Sequence, residues 1–220
     1  MISISIQAGG RSSRMGQDKA LIPIAGKRLI EHVIERLQGM SDDLFITGNQ
    51  HKTLEDLNIR LAADTQPGRG ALYGLETALQ AAVHDHVLVV ACDMPFISRS
   101  LLGYMQSLIP QADIIIPELE SGYEPLLAIY RRSTCLPAIE RSLQDHKHRM
   151  ISFFPEVQVL AIEAQTIESF DPERLSFFNV NTPEDLQTAE RLMRASRSTR
   201  SGSQKQPRTT RSANPKPGVT

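Results

Sequence analysis

Between Gly9 and Lys19 the chain gathers three cations (Arg11, Arg14 and Lys19), the hydroxyls of Ser12 and Ser13, and glycines at 9, 10 and 16. Open backbone N–H groups, hydroxyl donors and positive charge within one short loop suit a polyphosphate. A second chemical feature is Asp93, which stands directly after the apolar run Val87-Leu88-Val89-Val90-Ala91-Cys92. A carboxylate at the end of such a strand can hold a hard cation such as Mg²⁺, which needs one or two protein carboxylates and takes phosphates and water for the rest. The third is the pair Asn179 and Asn181, spaced two apart in an extended stretch, so that both amides face one way, toward a phosphate or the edge of a ring. Each has a plainer use: the glycines suit a surface turn, Asp93 suits the cap of the helix after it, and the asparagines suit turn stabilisation.

Two familiar phosphate loops are excluded by spacing. No Gly-x-x-x-x-Gly-Lys-Ser/Thr run and no Gly-x-Gly-x-x-Gly turn follows the first strand. The elements that must position the loop are nevertheless legible. Ile2, Ile4 and Ile6 alternate with Ser3 and Ser5 and predict a strand that ends at Gly9-Gly10. Leu29, Ile30, Val33, Ile34 and Leu37 lie on one face of a helix over 28–39, and strands follow at 43–48 and 59–63, the last ending at Asp64. The glycine-rich stretch Gln66 to Gly74 opens a helix reaching about Val83, with Leu72, Leu75, Leu79 and Ala82 inward and its first N–H groups free for an anion or a base edge.

Beyond Pro95 the pattern predicts a helix over 98–109, strands at 112–117 and 123–130, helices at 134–145 and 149–154, and a strand at 157–163 followed by a polar connection. Thr182, Pro183 and Asp185 fit the N-cap, first and third positions of a last helix reaching about Arg194. Repeated strand, loop and helix imply an α/β fold, a mostly parallel sheet with helices on both faces, whose site lies at the carboxyl ends of the strands. Gly9, Thr47, Asp64 and Asp93 fall at such ends.

The 220 residues, 40% of them hydrophobic, suffice for one sizeable core, read here as a domain over 1–195. Two cysteines are too few for a disulfide framework, and no apolar run is long enough for a membrane span or a signal peptide core, which points to the cytoplasm and to no membrane partner. Cys92 reads as a small buried residue without a basic neighbour to activate it. His146 and His148 lack a third ligand at metal-binding spacing. Of 24 Lys and Arg, 6 fall in residues 196–220, leaving 18 against all 25 acids, a formal −7 for residues 1–195. The tail is thus basic; rich in Ser, Thr, Pro and Gly, it is expected to be disordered and dispensable rather than a nucleic-acid contact.

The run Gln7-Ala-Gly-Gly-Arg-Ser-Ser-Arg-Met-Gly-Gln-Asp-Lys19 resembles the Leu-Ala-Gly-Gly-x-Ser-x-Arg-Met-Gly-x-Asp-Lys signature of the molybdopterin nucleotidyltransferases, with Gln7 where Leu is usual. The Pro-Gly-x-Gly run before Gly74 and the ending Asn179-Val-Asn-Thr-Pro-Glu-Asp-Leu186 are similar to that family's as well, so the likeness spans residues 2–192. Two further positions differ: Tyr73 replaces a small residue and narrows the pocket, and Thr47 stands where many relatives have Asn, with Asn49 close by to substitute. The resemblance implies a Rossmann-like nucleotidyltransferase fold and the transfer of GMP from GTP to Mo-molybdopterin, with Mg²⁺ as cofactor and molybdoenzymes or their chaperones as recipients. It implies nucleotide contacts from Gln7, Ala8, Gly9, Lys19, Thr47, Asp64 and Asp93, catalysis by Lys19, Asp93 and Arg14, metal at Asp93, and acceptor contacts from Asn179 and Asn181. Cytidine-using relatives tend to carry Ala-Ala-Gly where this chain has Ala8-Gly9-Gly10, which favours GTP over CTP. Two alternatives stay open: a related enzyme using CTP or another phosphate acceptor, and a non-catalytic nucleotide-binding module that hands the cofactor on.

Overall fold

The computed structural model describes residues 1–8, 18–49, 51–64, 66 and 68–202, with the backbone alone at 51, 52 and 196–202. In chain order the elements are β1 (Ser3–Gln7), β2 (Pro23–Ile24), β3 (Lys27–Arg28), α1 (Leu29–Leu37), β4 (Asp43–Gly48), α2 (His51–Leu54), β5 (Arg60–Ala63), α3 (Ala71–Ala81) and β6 (His86–Ala91). They continue with α4 (Arg99–Ser107), β7 (Ile114–Leu119), β8 (Gly122–Tyr123), β9 (Leu127–Arg131), α5 (Arg132–Gln144), β10 (Val159–Ile162), α6 (Ala164–Phe170) and α7 (Pro183–Gly202).

The main sheet runs β10-β7-β9-β6-β1-β4-β5, with β8 paired to β7 at one end and β2 and β3 forming a separate ribbon. β1 pairs in parallel with both β4 and β6, β4 with β5, and β7 with β10; β9 alone in this path is antiparallel to its neighbours β6 and β7. The expected mostly parallel sheet is therefore the one observed. After β5 the chain crosses to the other side of β1, so the strand order reverses between β1 and β6, and a crevice opens at their carboxyl ends.

Helices cover both faces because successive strand residues point to opposite sides. Ile2, Ile4, Ile6, Leu88 and Val90 join Ile30, Val33 and Leu37 of α1, Leu101, Leu102 and Met105 of α4 and Ile167 of α6 in one core. Phe45, Val87, Val89 and Tyr130 join Leu72, Leu75 and Leu79 of α3 and Cys135, Ala138 and Ile139 of α5 in the other. A third cluster, Ile24, Leu29, Phe96, Val180 and Ala189, fastens α7 beside the β2–β3 ribbon.

The serines that alternate with isoleucine in β1, Ser3 and Ser5, are fully buried. Their hydroxyls are satisfied inside: Ser3 donates to Asp43 at 2.6 Å and Ser5 lies 3.2 Å from the Thr47 hydroxyl. A central strand under helices on both sides has no wet face, and small hydroxyl side chains fit because each finds a partner.

Three local expectations are corrected. Residues 149–154 form turns leading into a short 3₁₀ turn at Phe154–Glu156, since Phe153 and Phe154 are drawn into the α3–α5 core and leave no room for a regular helix. The polar connection after 163 contains α6, which exists because Ile167 and Phe170 pack on α4's side of the sheet. The last helix passes Arg194 and runs to Gly202, so the beginning of the segment read as a disordered tail is helical; between Ala195 and Gly202 the chain offers neither Gly nor Pro to stop it. The remainder of that tail, 203–220, lies outside the described residues. No helix among the described residues is long and apolar enough to cross a membrane.

Candidate active site

The carboxyl ends of β1, β6 and the segment before α7 meet at Asp93. The backbone of the last segment is tied there directly: Val180 N–H donates to the Asp93 carbonyl at 3.0 Å, which places Asn179 and Asn181 on either side of the contact. Asn181 is held further by α7's capping box. Asp185 accepts from the backbone N–H groups of Asn181 and Thr182 at 3.0 and 2.9 Å, and its own N–H donates to the Thr182 hydroxyl at 3.1 Å. Those donors, the N–H of Asn181 foremost, keep the Asp185 carboxyl below its ordinary range.

Lys19, from the short turn that follows the glycine-rich loop, also reaches this point. Its Nζ donates to Asp93 Oδ2 at 2.9 Å and also to Asn181 Oδ1. The two charged side chains are 24% and 15% exposed, so the pair is shielded without being sealed off. Asp18, immediately before, caps a short 3₁₀ turn by accepting from Ala20 N–H at 3.1 Å. Its other oxygen is buried without a hydrogen-bond partner among the described residues, and burial raises its pKa. Lys19, Asp93 and Asn181, three residues singled out from the sequence across more than 160 positions of chain, are thus one hydrogen-bonded group.

The remaining expected residues line the same end of the sheet. Ala8 N–H donates to the Thr47 carbonyl at 2.8 Å, and Cys92 N–H to the Gln7 carbonyl at 3.1 Å, so the ends of β1, β4 and β6 are stitched together. The Thr47 side chain is buried and engaged with Ser5, so it belongs to the wall rather than to the open crevice; Asn49 is exposed just beyond it. Asp64, past the end of β5, accepts from Gln66 N–H at 3.0 Å. At Gly68 and Gly70 the backbone takes φ of +78° and +114°, conformations L side chains rarely adopt, and Gly70 is the N-cap of α3. Asn179 keeps a buried, unpartnered Oδ1 among the described residues. Gly9 and Arg14 lie outside the described residues.

Burial pushes the Cys92 thiol far above its ordinary value, with the charges of Asp93 and Asp18 adding to the effect, as expected for a packing residue and not a nucleophile. His146 and His148 are exposed; His148 stacks on Tyr73 with ring centroids 5.8 Å apart, and Arg69 covers the same tyrosine at 5.7 Å. Tyr73 is thereby packed into the wall at the start of α3.

One acid escaped the sequence reading. β9 runs antiparallel to β6, pairing Val90 with Leu127, and the Ala91 N–H to Leu126 carbonyl bond at 3.1 Å extends that register, which brings Glu124 toward Asp93. Burial raises the Glu124 pKa, a hydrogen bond from Leu126 N–H opposes the shift, and the charge of Asp93 adds to it. Only the reversed direction of β9 makes the two acids neighbours; an acid before Pro125 at a strand's start was the available signal.

Among the described residues no group of three or more His, Cys, Asp or Glu side chains could hold a metal ion. Asp93 alone is a hard-oxygen donor suited to an ion that keeps phosphate and water ligands, which is the habit of Mg²⁺, so the residues present fit that ion.

The family model described as MobA-like NTP transferase domain matches residues 4–158. A protein of Pelotomaculum thermopropionicum named as a probable molybdenum cofactor guanylyltransferase is 37% identical over 195 residues, covering 89% of this chain and 95% of that protein. The molybdenum cofactor guanylyltransferase of Desulfosudis oleivorans is 34% identical, covering 87% and 96%. Among solved structures, molybdopterin-guanine dinucleotide biosynthesis protein A from Archaeoglobus fulgidus superposes with a TM-score of 0.76 at 28% identity, covering 89% of this chain and all of that one. The 2-C-methyl-D-erythritol 4-phosphate cytidylyltransferase of Thermus thermophilus shares the fold, with a TM-score of 0.66 at 15% identity. With its Lys19–Asp93–Asn181 group at the strand-order reversal of a nucleotidyltransferase fold, the chain belongs to the MobA-like NTP transferase family.

Proposed function

We propose that this protein transfers GMP from GTP to Mo-molybdopterin, forming the guanine dinucleotide cofactor and releasing pyrophosphate. The observation that carries this reading is the convergence of Lys19, Asp93 and Asn181 at the ends of β1 and β6, together with relatives named for that reaction over nearly the whole chain.

A terminal phosphate on the acceptor has a second pKa of about 6 and is largely dianionic at neutral pH, so the attack needs no general base. Mutual repulsion of two phosphates is the harder problem. Lys19 supplies a fixed, partly shielded positive charge against the leaving pyrophosphate, and Arg14 is assigned the same task on the glycine-rich loop. Mg²⁺ held by Asp93 and the substrate phosphates would supply further neutralisation of the reacting anion. Asn181, clamped by the capping box, presents its amide at the same point, and with Asn179 orients the acceptor; holding the two substrates in line removes most of the entropic barrier. The backbone of Gln7, Ala8 and Gly9, with Asp64 and the Gly68–Gly74 stretch, is assigned to the nucleoside. Catalysis is assigned to residues 1–195, and removal of 203–220 is expected to leave turnover and melting temperature unchanged.

The test is pyrophosphate release measured with each nucleoside triphosphate and purified molybdopterin, for the full chain and for Asp93→Ala. GTP-specific release lost in the folded variant supports the reading. Preference for CTP would transfer it to a cytidylyl reaction, and nucleotide binding without pyrophosphate release would leave a cofactor-handing module.

A further inference from the structure

Gln7 is the last residue of β1, paired in register with Thr47 on β4 and Ala91 on β6. It is 8% exposed, and its Nε2 is buried with no hydrogen-bond partner among the described residues. The amide fills a space that Gly74, in the first turn of α3, leaves open. A Cβ at Gly74 would stand 3.2 Å from Gln7 Oε1, 3.4 Å from Cδ and 3.5 Å from Nε2. A leucine, the residue of the signature this stretch resembles, would fill a similar volume without burying an unpaired donor, so the amide burdens the free protein.

We infer that the Gln7 side chain reads the base of the bound nucleoside triphosphate, giving its amide hydrogen to a carbonyl acceptor such as the 6-oxo group of guanine; this rests on the nucleotidyl-transfer reading above. Three observations carry it. An unpaired donor calls for a ligand acceptor. The group lies where the end of β1 meets the start of α3, and the soft terminal torsion of a glutamine lets the amide turn toward the opening. Strand alternation sends Gln7 to the α3 side of the sheet, against Gly74, while the Lys19 ammonium is engaged by Asp93 and Asn181, so the Gln7 donor is not taken up by the phosphate-binding group. The register adds a fourth point. Thr47, the ladder partner of Gln7, has its hydroxyl occupied by Ser5, so the neighbouring strand end presents no amide at this level of the sheet.

The experiment titrates GTP, ATP and CTP in Mg²⁺ buffer into the full-length wild type, Gln7→Leu and Gln7→Met, with melting temperatures recorded without nucleotide. Both variants are expected to melt at or above the wild-type temperature, to bind GTP about tenfold more weakly, the usual worth of one hydrogen bond, and to change ATP binding less than about twofold. Unchanged GTP affinity in both variants overturns the inference. So does an equal weakening of GTP and ATP, which would put Gln7 on the phosphates or on loop shape. A wild type that binds no triphosphate removes the functional reading and this inference together, whereas tight GTP binding indifferent to position 7 removes only the inference.

Discussion

Replacing Lys19 by Met tests the centre of the site, because it keeps the length of the side chain and removes its charge. At the observed 2.9 Å from Asp93, two unit charges in an effective dielectric near 20 attract by about 6 kcal/mol before any cost is counted. Desolvation and side-chain ordering offset most of that. With the side chains 24% and 15% exposed, the pair lies between the surface and buried regimes, and a net coupling of about 1–2 kcal/mol is expected. A double-mutant cycle with Lys19→Met and Asp93→Asn, measured by urea unfolding without substrates, isolates that number. In turnover the same lysine is asked for more, since it would face charge building on the leaving pyrophosphate. Its loss should lower kcat by about a hundred- to a thousandfold, equivalent to roughly 3–4 kcal/mol. Pyrophosphate release under saturating GTP reads this directly. A Lys19→Met protein with kcat within about threefold of wild type would refute the assignment, and a coupling near zero would show that the ion pair adds nothing to the free protein.

Further predictions concern the acids. Glu124, half-buried near Asp93, has a folded-state pKa above its ordinary 4.5, so the folded protein holds its proton more tightly than the unfolded one; stability falls as pH rises from about 4.5 through the raised value. Glu124→Gln should therefore be more stable than wild type near neutral pH in metal-free buffer, with the advantage closing below about pH 4.5; a gain independent of pH in urea titrations would contradict this. Asp43 is the reverse case. Burial acts against its charge, but donors from Ser3, Val83 N–H and Arg60 outweigh it and hold the carboxyl below the ordinary 3.8. Its stabilisation is present above that value and lost as pH falls through the depressed one, so Asp43→Asn should cost about 2–3 kcal/mol at neutral pH, by denaturant unfolding, and progressively less in acid. Asp43 lies at the amino ends of the strands, away from the site, so nucleotide affinity of that variant should match wild type; a weakened affinity would show that the two ends of the sheet communicate.

Much of the site was legible before the fold. The Ile2-Ile4-Ile6 alternation, the apolar run ahead of Asp93 and the Thr182-Pro183-Asp185 cap are local signals, and local signals follow from backbone sterics and hydrogen bonding within a few residues. They placed Gln7, Asp93 and Asn181 correctly at element ends. Other features belong to the tertiary structure. That Lys19 bridges Asp93 and Asn181 depends on the strand order reversing between β1 and β6 and on Val180 docking against the Asp93 carbonyl, contacts between segments far apart in the chain. Glu124 became a neighbour of Asp93 only because β9 runs against the rest of the sheet. The helix expected at 149–154 yielded to the burial of Phe153 and Phe154, and α6 formed where polar composition suggested a connection, because packing of one apolar face outweighs weak local propensity. Periodicity determined which residues would point inward; strand order, direction and register alone decided which of those distant residues would touch.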